Sequence, residues 1–230
     1  SVILVSGATG TGKTLMTTEF IDGGIKNGEK CMLFAFEESR EQLLRNAKGW
    51  GVDYEKMERS GDLKILCMYP EVDSLENHLI YIKDGVEQFK PNRVAIDSLS
   101  ALERIATVKG FREFVISLTS FIKHQEIAGL FTATTSTLTG GVSVTEAHIS
   151  TLTDSIILLR YVEMYGEMRR GLTILKMRGS MHNKEICEFT IDSTGMHVGK
   201  PFRSVVGILS GNPQQVAQSE VDRLQGLFSD

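Results

Sequence analysis

The chain lacks a basic excess. Its 230 residues contain 25 Lys and Arg against 29 Asp and Glu, which gives a formal net charge of −4 and a pI near 5.8. Apart from the adjacent Arg169 and Arg170, the basic residues do not cluster. Nonspecific nucleic-acid binding depends on basic surfaces that neutralise phosphates. The charge balance therefore argues against that function, and we expect no nucleic-acid partner.

Cysteines are few and long apolar runs are missing. Cys31, Cys67 and Cys187 lie far apart in apolar, strand-like surroundings, so we expect buried reduced thiols, with a metal or disulfide role as the alternative. No stretch approaches the uninterrupted apolar length of a membrane span. The first residues show no basic segment followed by an apolar core, so we expect no signal peptide. These observations favour a cytoplasmic protein without membrane contacts.

A complete phosphate-binding motif stands near the start of the chain. A short apolar strand, residues 2–5, leads into G-x-x-x-x-G-K-[ST] at residues 7–14, and a helical stretch follows. The glycines allow successive backbone N–H groups to turn around phosphate oxygens. Lys13 brings positive charge to the β- and γ-phosphates, and the Thr14 hydroxyl suits Mg²⁺. A chance match in a glycine-containing turn is the alternative, but the strand and helix favour a nucleoside triphosphate site.

The phosphate loop lies unusually close to the first residue of the chain. No strand or helix precedes the loop's own strand to cover the edge of a sheet. Full-length proteins seldom begin so abruptly, and we therefore expect this chain to be a domain excised from a longer protein.

Strand-like and helical stretches alternate through the first half of the chain. One predicted helix begins after Ser39, which with Gln42 forms a capping-box pattern. The predicted strands after the first lie at residues 31–36, 63–68, 93–96 and 130–134, and residues 75–89 and 111–122 have helical spacing. This alternation predicts an α/β fold, a mostly parallel central sheet with helices on both faces.

The second half of the chain changes character. Residues 135–154 are rich in Ser, Thr and Gly and resemble an exposed loop. Three strand-like runs then follow closely, at residues 156–161, 172–177 and 185–191, without helices between them. This spacing predicts antiparallel strands in the C-terminal half.

Carboxylates follow two of the predicted strands. Asp97 ends a run of three apolar residues, as in a Walker B element, and Glu37 and Glu38 follow the second strand. Ligands bind at the carboxyl edge of such sheets. There Asp97 would position Mg²⁺ or its water, one glutamate would accept a proton from the nucleophile, and Glu37 would also touch the metal. The alternatives are a helix-capping Asp97 and solvated surface glutamates.

Three further features have both a functional and an ordinary interpretation. Phosphoryl transfer needs additional positive charge, which Arg170, Lys176 and Arg178 would supply to their own or a neighbouring subunit's nucleotide; solvated strand-end charges are the alternative. Trp50, the only tryptophan, is either a core anchor or stacks on an adenine. By composition alone, the 150–151 pair of hydroxyl residues consists of ordinary loop residues.

In combination the motifs become specific. They occur in the order Gly-Ala-Thr-Gly-Thr-Gly-Lys-Thr, Phe-Glu-Glu-Ser from residue 36, Ile-Asp-Ser from residue 96, His-Ile-Ser-Thr from residue 148, Gly-Glu-Met from residue 166 and Lys-Met-Arg-Gly-Ser from residue 176. Together they closely resemble the second, C-terminal domain of the KaiC family of RecA-like clock ATPases and autokinases. The resemblance covers residues 1–216, a RecA-like ATPase and autokinase domain, and leaves residues 217–230 as a short tail.

The resemblance implies a site shared between subunits of a homohexamer. Glu37 and Glu38 would be the catalytic carboxylates, Thr14 and Glu37 would hold Mg²⁺, and Trp50 would lie near the base. The implied ATP-binding residues of the same subunit are Thr9, Gly10, Thr11, Gly12, Lys13, Thr14, Leu15 and Asp97. Those reaching ATP across the subunit boundary are Arg170, Lys176, Met177, Arg178, Gly179, Ser180, Met181 and His182.

The resemblance also implies an activity and partners. Ser150 and Thr151 would be phosphorylated by ATP bound between subunits, with Thr145 as an accessory hydroxyl, and the loop at 206–216 would set the balance between kinase and phosphatase activity. KaiA- and KaiB-like clock proteins would be partners. We therefore expect an ATP-dependent serine/threonine autokinase with autophosphatase and ATPase activity. The alternatives are a RecA- or RadA-type DNA-handling ATPase and a scaffold ATPase without kinase activity.

Overall fold

The computed structural model describes residues 1–135, 149, 151–164, 166–203, 205–206, 208 and 214–215. Strands and helices alternate as far as residue 134, as predicted. The elements of this first part are β1 (Val2–Gly7), α1 (Lys13–Lys26), β2 (Cys31–Ala35), α2 (Arg40–Gly49), α3 (Tyr54–Arg59), β3 (Leu63–Cys67), a 3₁₀ turn (Pro70–Val72), α4 (Leu75–Phe89), β4 (Arg93–Asp97), α5 (Leu99–Glu103), α6 (Val108–His124) and β5 (Ala128–Thr134). Those that follow are β6 (Ser155–Met164), β7 (Glu167–Met177), β8 (Cys187–Asp192), β9 (Gly195–Pro201), β10 (Val205–Val206) and β11 (Gln214–Gln215).

Nine of the strands form one sheet, in the order β3-β2-β4-β5-β1-β6-β7-β8-β9. The pairs from β3 to β6 are parallel, and those from β6 to β9 are antiparallel. The predicted α/β class is confirmed. The prediction for β6 was incomplete, because this strand pairs parallel with β1 on one side and antiparallel with β7 on the other. It begins at the edge of the sheet where β1 also begins, since Ser155 pairs with Ile3.

Helices cover both faces of the parallel strands. In β2, Met32 and Phe34 pack into a core with α4, α5 and α6, while Leu33 and Ala35 pack with α1, α2 and α3. All five residues of β2 are buried. A strand covered on both sides needs apolar residues at every position, and this explains its uninterrupted apolar sequence.

The described helix ends confirm one local prediction and show elements that were missed. Ser39 is the N-cap of α2, and its hydroxyl accepts a hydrogen bond from the Gln42 backbone N–H at 3.3 Å. Helices α3 and α5 were not predicted, because they contain only six and five residues and are too short to show periodicity. Strand β9 was missed because its exposed, polar sequence gives no strong strand pattern.

The Ser/Thr-rich segment is not exposed throughout its described part. Ile149 and Thr153 are buried, at 2% and 0% exposure. The Thr153 hydroxyl donates to the Ile149 carbonyl, and Ile149 packs into the core beside α6, so this turn is drawn into the protein. The predictions for Thr145 and Ser150 lie outside the described residues, as do most of the loop at 206–216 and the whole tail at 217–230.

All three cysteines are free, but only Cys31 is fully buried; Cys67 and Cys187 lie on strands near the edges of the core and are half-buried. Burial raises the pKa of the Cys31 thiol to about 12.

Among the helices that the structure describes, none has both the length and the apolar content needed to cross a lipid bilayer.

Candidate active site

The phosphate loop joins β1 to α1 at the carboxyl edge of the sheet. Gly10 and Gly12 have φ values of 80° and 107°, a region that other residues rarely adopt. Gly12 is the N-cap of α1 and has no side chain to cap the helix, so the first backbone N–H groups of α1 are available to an anion. A Cβ added at Gly12 would lie 2.9 Å from the Ile191 side chain. The backbone conformation therefore favours glycine here, and a larger residue would also displace the Ile191 side chain.

Lys13 is folded back against the loop. Only 8% of the residue is exposed, and its ammonium donates to the carbonyls of Gly7 and Ala8, both at 2.9 Å. Burial lowers the pKa of this ammonium, while the nearby Asp97 and Glu37 carboxylates oppose the change. Phosphate oxygens are stronger acceptors for an ammonium than neutral carbonyls are. The lysine is therefore held where an incoming phosphate would exchange with the two carbonyls.

Asp97 lies at the end of β4 and is almost fully buried. Its carboxylate accepts a hydrogen bond from the Thr132 hydroxyl at 2.5 Å and interacts with the Thr14 hydroxyl. Burial raises its pKa, and the two hydroxyls and Lys13 oppose that rise. The helix-capping interpretation is wrong, because α5 has Ser98 as its N-cap and begins at Leu99. A hydroxyl beside a carboxylate fits the oxygen ligands that Mg²⁺ takes when it also binds phosphates.

Glu37 and Glu38 have different surroundings although they are neighbours in sequence. Glu37 is exposed, and its carboxylate pairs with the Arg104 guanidinium at 3.0 Å. Glu38 is half-buried and accepts a hydrogen bond from the Asn46 side-chain amide at 3.1 Å. Burial raises the pKa of Glu38, the Asp97 charge adds to this, and the Asn46 amide opposes it. The two carboxylates therefore differ in both their exposure and their hydrogen-bond partners.

A single cavity of about 330 Å³ connects these groups, a volume in the range of small-molecule sites. Trp50 and Ile191 form apolar parts of its wall. Trp50 is half-buried beside this cavity, so it is not a core anchor and lies where a base could stack. The lining residues are Thr9, Gly10, Gly12, Lys13, Thr14, Leu15, Glu37, Glu38, Asn46, Trp50, Asp97, Thr134 and Ile191.

Most of the residues that line the cavity were predicted from the sequence, but some were not. Asn46, Thr134 and Ile191 were missed, as was Arg104, because each is brought to the site by the fold and belongs to no motif. Asn46 lies one turn of α2 before Trp50, which is the only sequence signal that pointed to it. Thr11 has a supporting place, since its buried hydroxyl donates to the Ala8 carbonyl at 2.8 Å and holds the turn of the loop.

Comparison with known proteins identifies the family. The family model described as "ATPase: KaiC" matches residues 1–202 of the chain. The chain belongs to the KaiC family.

Its relatives in this family are longer proteins. The chain is 72% identical over 230 residues to the circadian clock protein KaiC3 of Synechocystis sp. (strain ATCC 27184 / PCC 6803 / Kazusa), covering all of this chain and 46% of the relative. It is 52% identical over 228 residues to the circadian clock oscillator protein KaiC of Picosynechococcus sp. (strain ATCC 27264 / PCC 7002 / PR-6), covering 99% of this chain and 44% of the relative. The chain thus spans less than half the length of these relatives.

Two of the cations that the KaiC resemblance places on a neighbouring nucleotide lie far from the phosphate loop of their own chain. Met177 pairs with Ser155 at the edge of the sheet where β1 and β6 begin, whereas the phosphate loop follows the end of β1. The Lys176 ammonium donates to the Thr153 carbonyl at 2.8 Å. The Arg178 guanidinium donates to the Thr151 carbonyl at 2.7 Å. Both cations therefore lie beside the expected phosphoacceptor segment.

The residues after β7 continue along this opposite edge. Gly179 has a φ of 74° in the turn that ends the strand, and Ser180 and His182 follow it. Met181 is fully exposed. Within the described residues, none of these four lines the cavity around the phosphate loop.

Arg170 lies at the other end of β7, close to the phosphate loop. It pairs with Tyr161 across the sheet, and its guanidinium lies 5.8 Å from the centre of the Tyr161 ring. The Tyr161 hydroxyl in turn approaches Gly10 so closely that an added Cβ there would lie 2.8 Å away. The KaiC-type cations are thus divided between the two edges of the sheet.

Proposed function

We propose that the chain is an Mg²⁺- and ATP-dependent ATPase and serine/threonine autokinase of the KaiC circadian clock type, which also removes its own phosphates. It would act at the subunit interfaces of a homohexamer, with KaiA- and KaiB-like proteins as partners. The observation that carries this proposal is the single cavity that joins the phosphate loop, Asp97 and the two glutamates.

The residues of the cavity suggest the division of tasks in the reaction. The backbone N–H groups of the loop and Lys13 would bind the β- and γ-phosphates, and Trp50 would lie against the base. Thr14 and Asp97, with Glu37 nearby, would hold Mg²⁺, which when bound offsets the negative charge of the phosphates. Glu38 would accept a proton, since a carboxylate with a raised pKa is a better base near neutral pH.

The acceptor would come from another subunit. In the proposed step, the hydroxyl oxygen of Ser150 or Thr151 forms a bond to the γ-phosphorus, and the bond from that phosphorus to the β–γ bridging oxygen breaks. ADP leaves, and the hydroxyl proton passes to the Glu38 carboxylate. Hydrolysis follows the same course with water as the nucleophile. In dephosphorylation the bond from the side-chain oxygen to phosphorus breaks, the phosphoryl group passes to water or ADP, and the hydroxyl regains its proton.

The register of the sheet supports transfer between subunits. Asp154 is bonded to the backbone of Val2 at the start of β1, so Thr151 lies near that edge. The phosphate loop lies beyond the far end of the six-residue β1, a strand length of about 20 Å. A hydroxyl at one edge is too distant from a γ-phosphate bound at the other edge of the same chain. Lys176 and Arg178 lie beside the proposed acceptor segment and would then reach the ATP bound by the neighbouring subunit.

Phosphate incorporation tests this proposal directly. Protein incubated with Mg-ATP under hexamer-forming conditions should carry phosphate on Ser150, Thr151 or both, detected by mass spectrometry. Ser150→Ala with Thr151→Ala should abolish the incorporation while ATP turnover remains. Undiminished incorporation in the double variant would show that the acceptors are wrong. ATP turnover with unmodified wild-type protein would favour a scaffold ATPase.

A DNA-handling ATPase is separated from this proposal by a binding assay. Such an enzyme would retard DNA at low salt and hydrolyse ATP faster in its presence. The net charge of −4 argues against it. We expect neither retardation nor stimulation, and salt-sensitive retardation would reverse that expectation.

A further inference from the structure

Arg104 is a charged residue at the site that no motif includes. It is the C-cap of α5, the short helix that follows β4. Its guanidinium donates to the Glu37 carboxylate at 3.0 Å, a contact between residues 67 positions apart. Because β2 and β4 are neighbours in the sheet, the pair connects the ends of two adjacent strands at the edge of the cavity.

The backbone that presents Arg104 is firmly held. Leu99, Ala101 and Leu102 of α5 are fully buried. The Ser100 hydroxyl accepts the Thr134 backbone N–H at 2.8 Å, which ties α5 to the end of β5. The Arg104 guanidinium therefore extends from the fixed helix α5 toward the exposed Glu37 carboxylate. This contact restrains Glu37 without burying it.

The ion pair between Arg104 and Glu37 adds little to the stability of the fold. The side chains of Arg104 and Glu37 are 57% and 37% exposed. Ion pairs exposed to this degree contribute little to folding stability, because water screens them. The contact therefore has its main effect on the cavity, which Glu37 and Glu38 both line.

Two adjacent carboxylates at one site raise the question of which of them interacts with the nucleophile. Either could accept the proton of the nucleophile, but only one can be correctly placed for it. The Glu38 carboxylate accepts a hydrogen bond from the neutral Asn46 amide at 3.1 Å. Glu37 is held by a permanent cation, since a guanidinium does not lose its proton in proteins. Each glutamate thus has a partner suited to a different task.

We propose that Arg104 is a positioning residue for phosphoryl transfer. Through the 3.0 Å ion pair it holds the Glu37 carboxylate in one orientation at the edge of the cavity. This inference deepens the proposed function and rests on it for the identity of the nucleophile. The same positioning serves water in ATP hydrolysis.

The test measures ATP hydrolysis and phosphate incorporation in wild type, Arg104→Gln, Arg104→Lys, Glu37→Gln and the double variant Arg104→Gln/Glu37→Gln. We expect Arg104→Gln to lower kcat about tenfold while the KM for ATP stays within about twofold, because orientation is lost and the phosphate contacts remain. Arg104→Lys should recover part of the loss. In the Glu37→Gln background, Arg104→Gln should change kcat less than about twofold, because Arg104 acts through Glu37.

Lys109→Gln is the matched control, since it removes a cation from an exposed pair with Glu113 on α6. It should leave kcat, KM and the thermal midpoint unchanged. The inference is overturned if Arg104→Gln behaves as wild type, or if its effect is as large without the Glu37 carboxylate as with it. Hydrolysis reports on Arg104 even if no phosphate is incorporated, so failure of the autokinase proposal and failure of this one give different results.

Discussion

Glu38 shows how burial and two neighbouring groups together set the chemistry of one residue. Partial burial raises the pKa of its carboxyl group, and the nearby Asp97 charge raises it further. The amide of Asn46 opposes both by donating to the ionised form. A base works best when its pKa lies near the pH of the reaction. Asn46 therefore adjusts how much of Glu38 is ionised and able to accept a proton.

Removing this amide should move the pH dependence of catalysis. In Asn46→Ala the pKa of Glu38 rises further, so a higher pH is needed to ionise the base. The acid limb of the kcat profile for ATP hydrolysis should shift to higher pH, measured from about pH 5 to 9. Asn77→Ala removes an exposed amide that bonds Asp73 and should leave the profile in place. An unmoved acid limb in Asn46→Ala would contradict the role of Glu38.

Among the secondary-structure elements, the hairpin of β8 and β9 is hydrogen-bonded to α1, the helix that follows the phosphate loop. The Met196 backbone N–H donates to the Glu19 carboxylate of α1 at 2.5 Å. Gly195, at φ 117°, has its Cα so close to this carboxylate that a Cβ would collide with it. The hairpin thereby brings Ile191 against Gly12 and into the cavity wall.

Loss of this fastening should weaken nucleotide binding. In Glu19→Ala the Met196 N–H loses its acceptor, and Ile191 is no longer held against the loop. We expect the Kd for ATP to rise by about three- to tenfold, equivalent to about 1 kcal/mol, measured by calorimetry. Glu19→Gln keeps a side-chain oxygen for the same N–H and should bind ATP nearly as wild type does. Equal affinities for the alanine and glutamine variants would show that the contact is irrelevant.

The turn of the same hairpin should be sensitive to acid. The Asp192 carboxylate accepts hydrogen bonds from the Thr194 hydroxyl and backbone N–H, with His197 nearby, and these lower its pKa to about 2. A lowered pKa in the folded state stabilises the fold above the ordinary carboxyl pKa of about 4 and ceases to do so as the pH falls toward about 2. Asp192→Asn should therefore be less stable than wild type at neutral pH, in denaturant unfolding followed by circular dichroism.

The difference between the two proteins should shrink as the pH is lowered through that interval. Asp62→Asn is a suitable control, because Asp62 lies outside this turn in the loop before β3. A difference that stays constant with pH would mean that the Asp192 charge does not stabilise the turn.

The elements also show how far sequence reasoning extends. The phosphate loop, the Asp97 strand and the longer helices were predicted because their patterns are local and periodic. The dual pairing of β6 was not, because pairing depends on where a strand re-enters the sheet. The contact of Arg104 with Glu37 was missed for the same reason, since nothing in either segment records that their strands are neighbours. Site residues within a motif are thus predictable, and residues brought to the site by sheet order are not.

For the whole molecule, the important feature is the separation between Thr151, the proposed phosphoacceptor, and the phosphate loop, which lie at opposite edges of one sheet. A chain that cannot bind ATP should still be phosphorylated by a neighbour that can. We expect Lys13→Ala alone, and Ser150→Ala/Thr151→Ala alone, to incorporate no phosphate. When the two are mixed and allowed to assemble, phosphate should appear on the Lys13→Ala chains, which mass spectrometry distinguishes by mass.

Mixing before and after assembly provides the control for this experiment. Preformed assemblies that do not exchange subunits should remain unmodified. Phosphate on the acceptor of a chain that is kept monomeric would contradict transfer between subunits.

The position of Thr151, in the turn before β6 and at the edge opposite the phosphate loop, has a consequence for kinetics. A chain that modified itself would do so at a rate independent of how many other chains were present. Here, dilution below the threshold of association should stop phosphorylation while each separate chain still binds ATP. The order of the phosphorylation reaction in protein concentration would then report whether the chains are assembled. Because the two sites lie at opposite edges of one sheet, the extent of phosphorylation becomes a measure of subunit association.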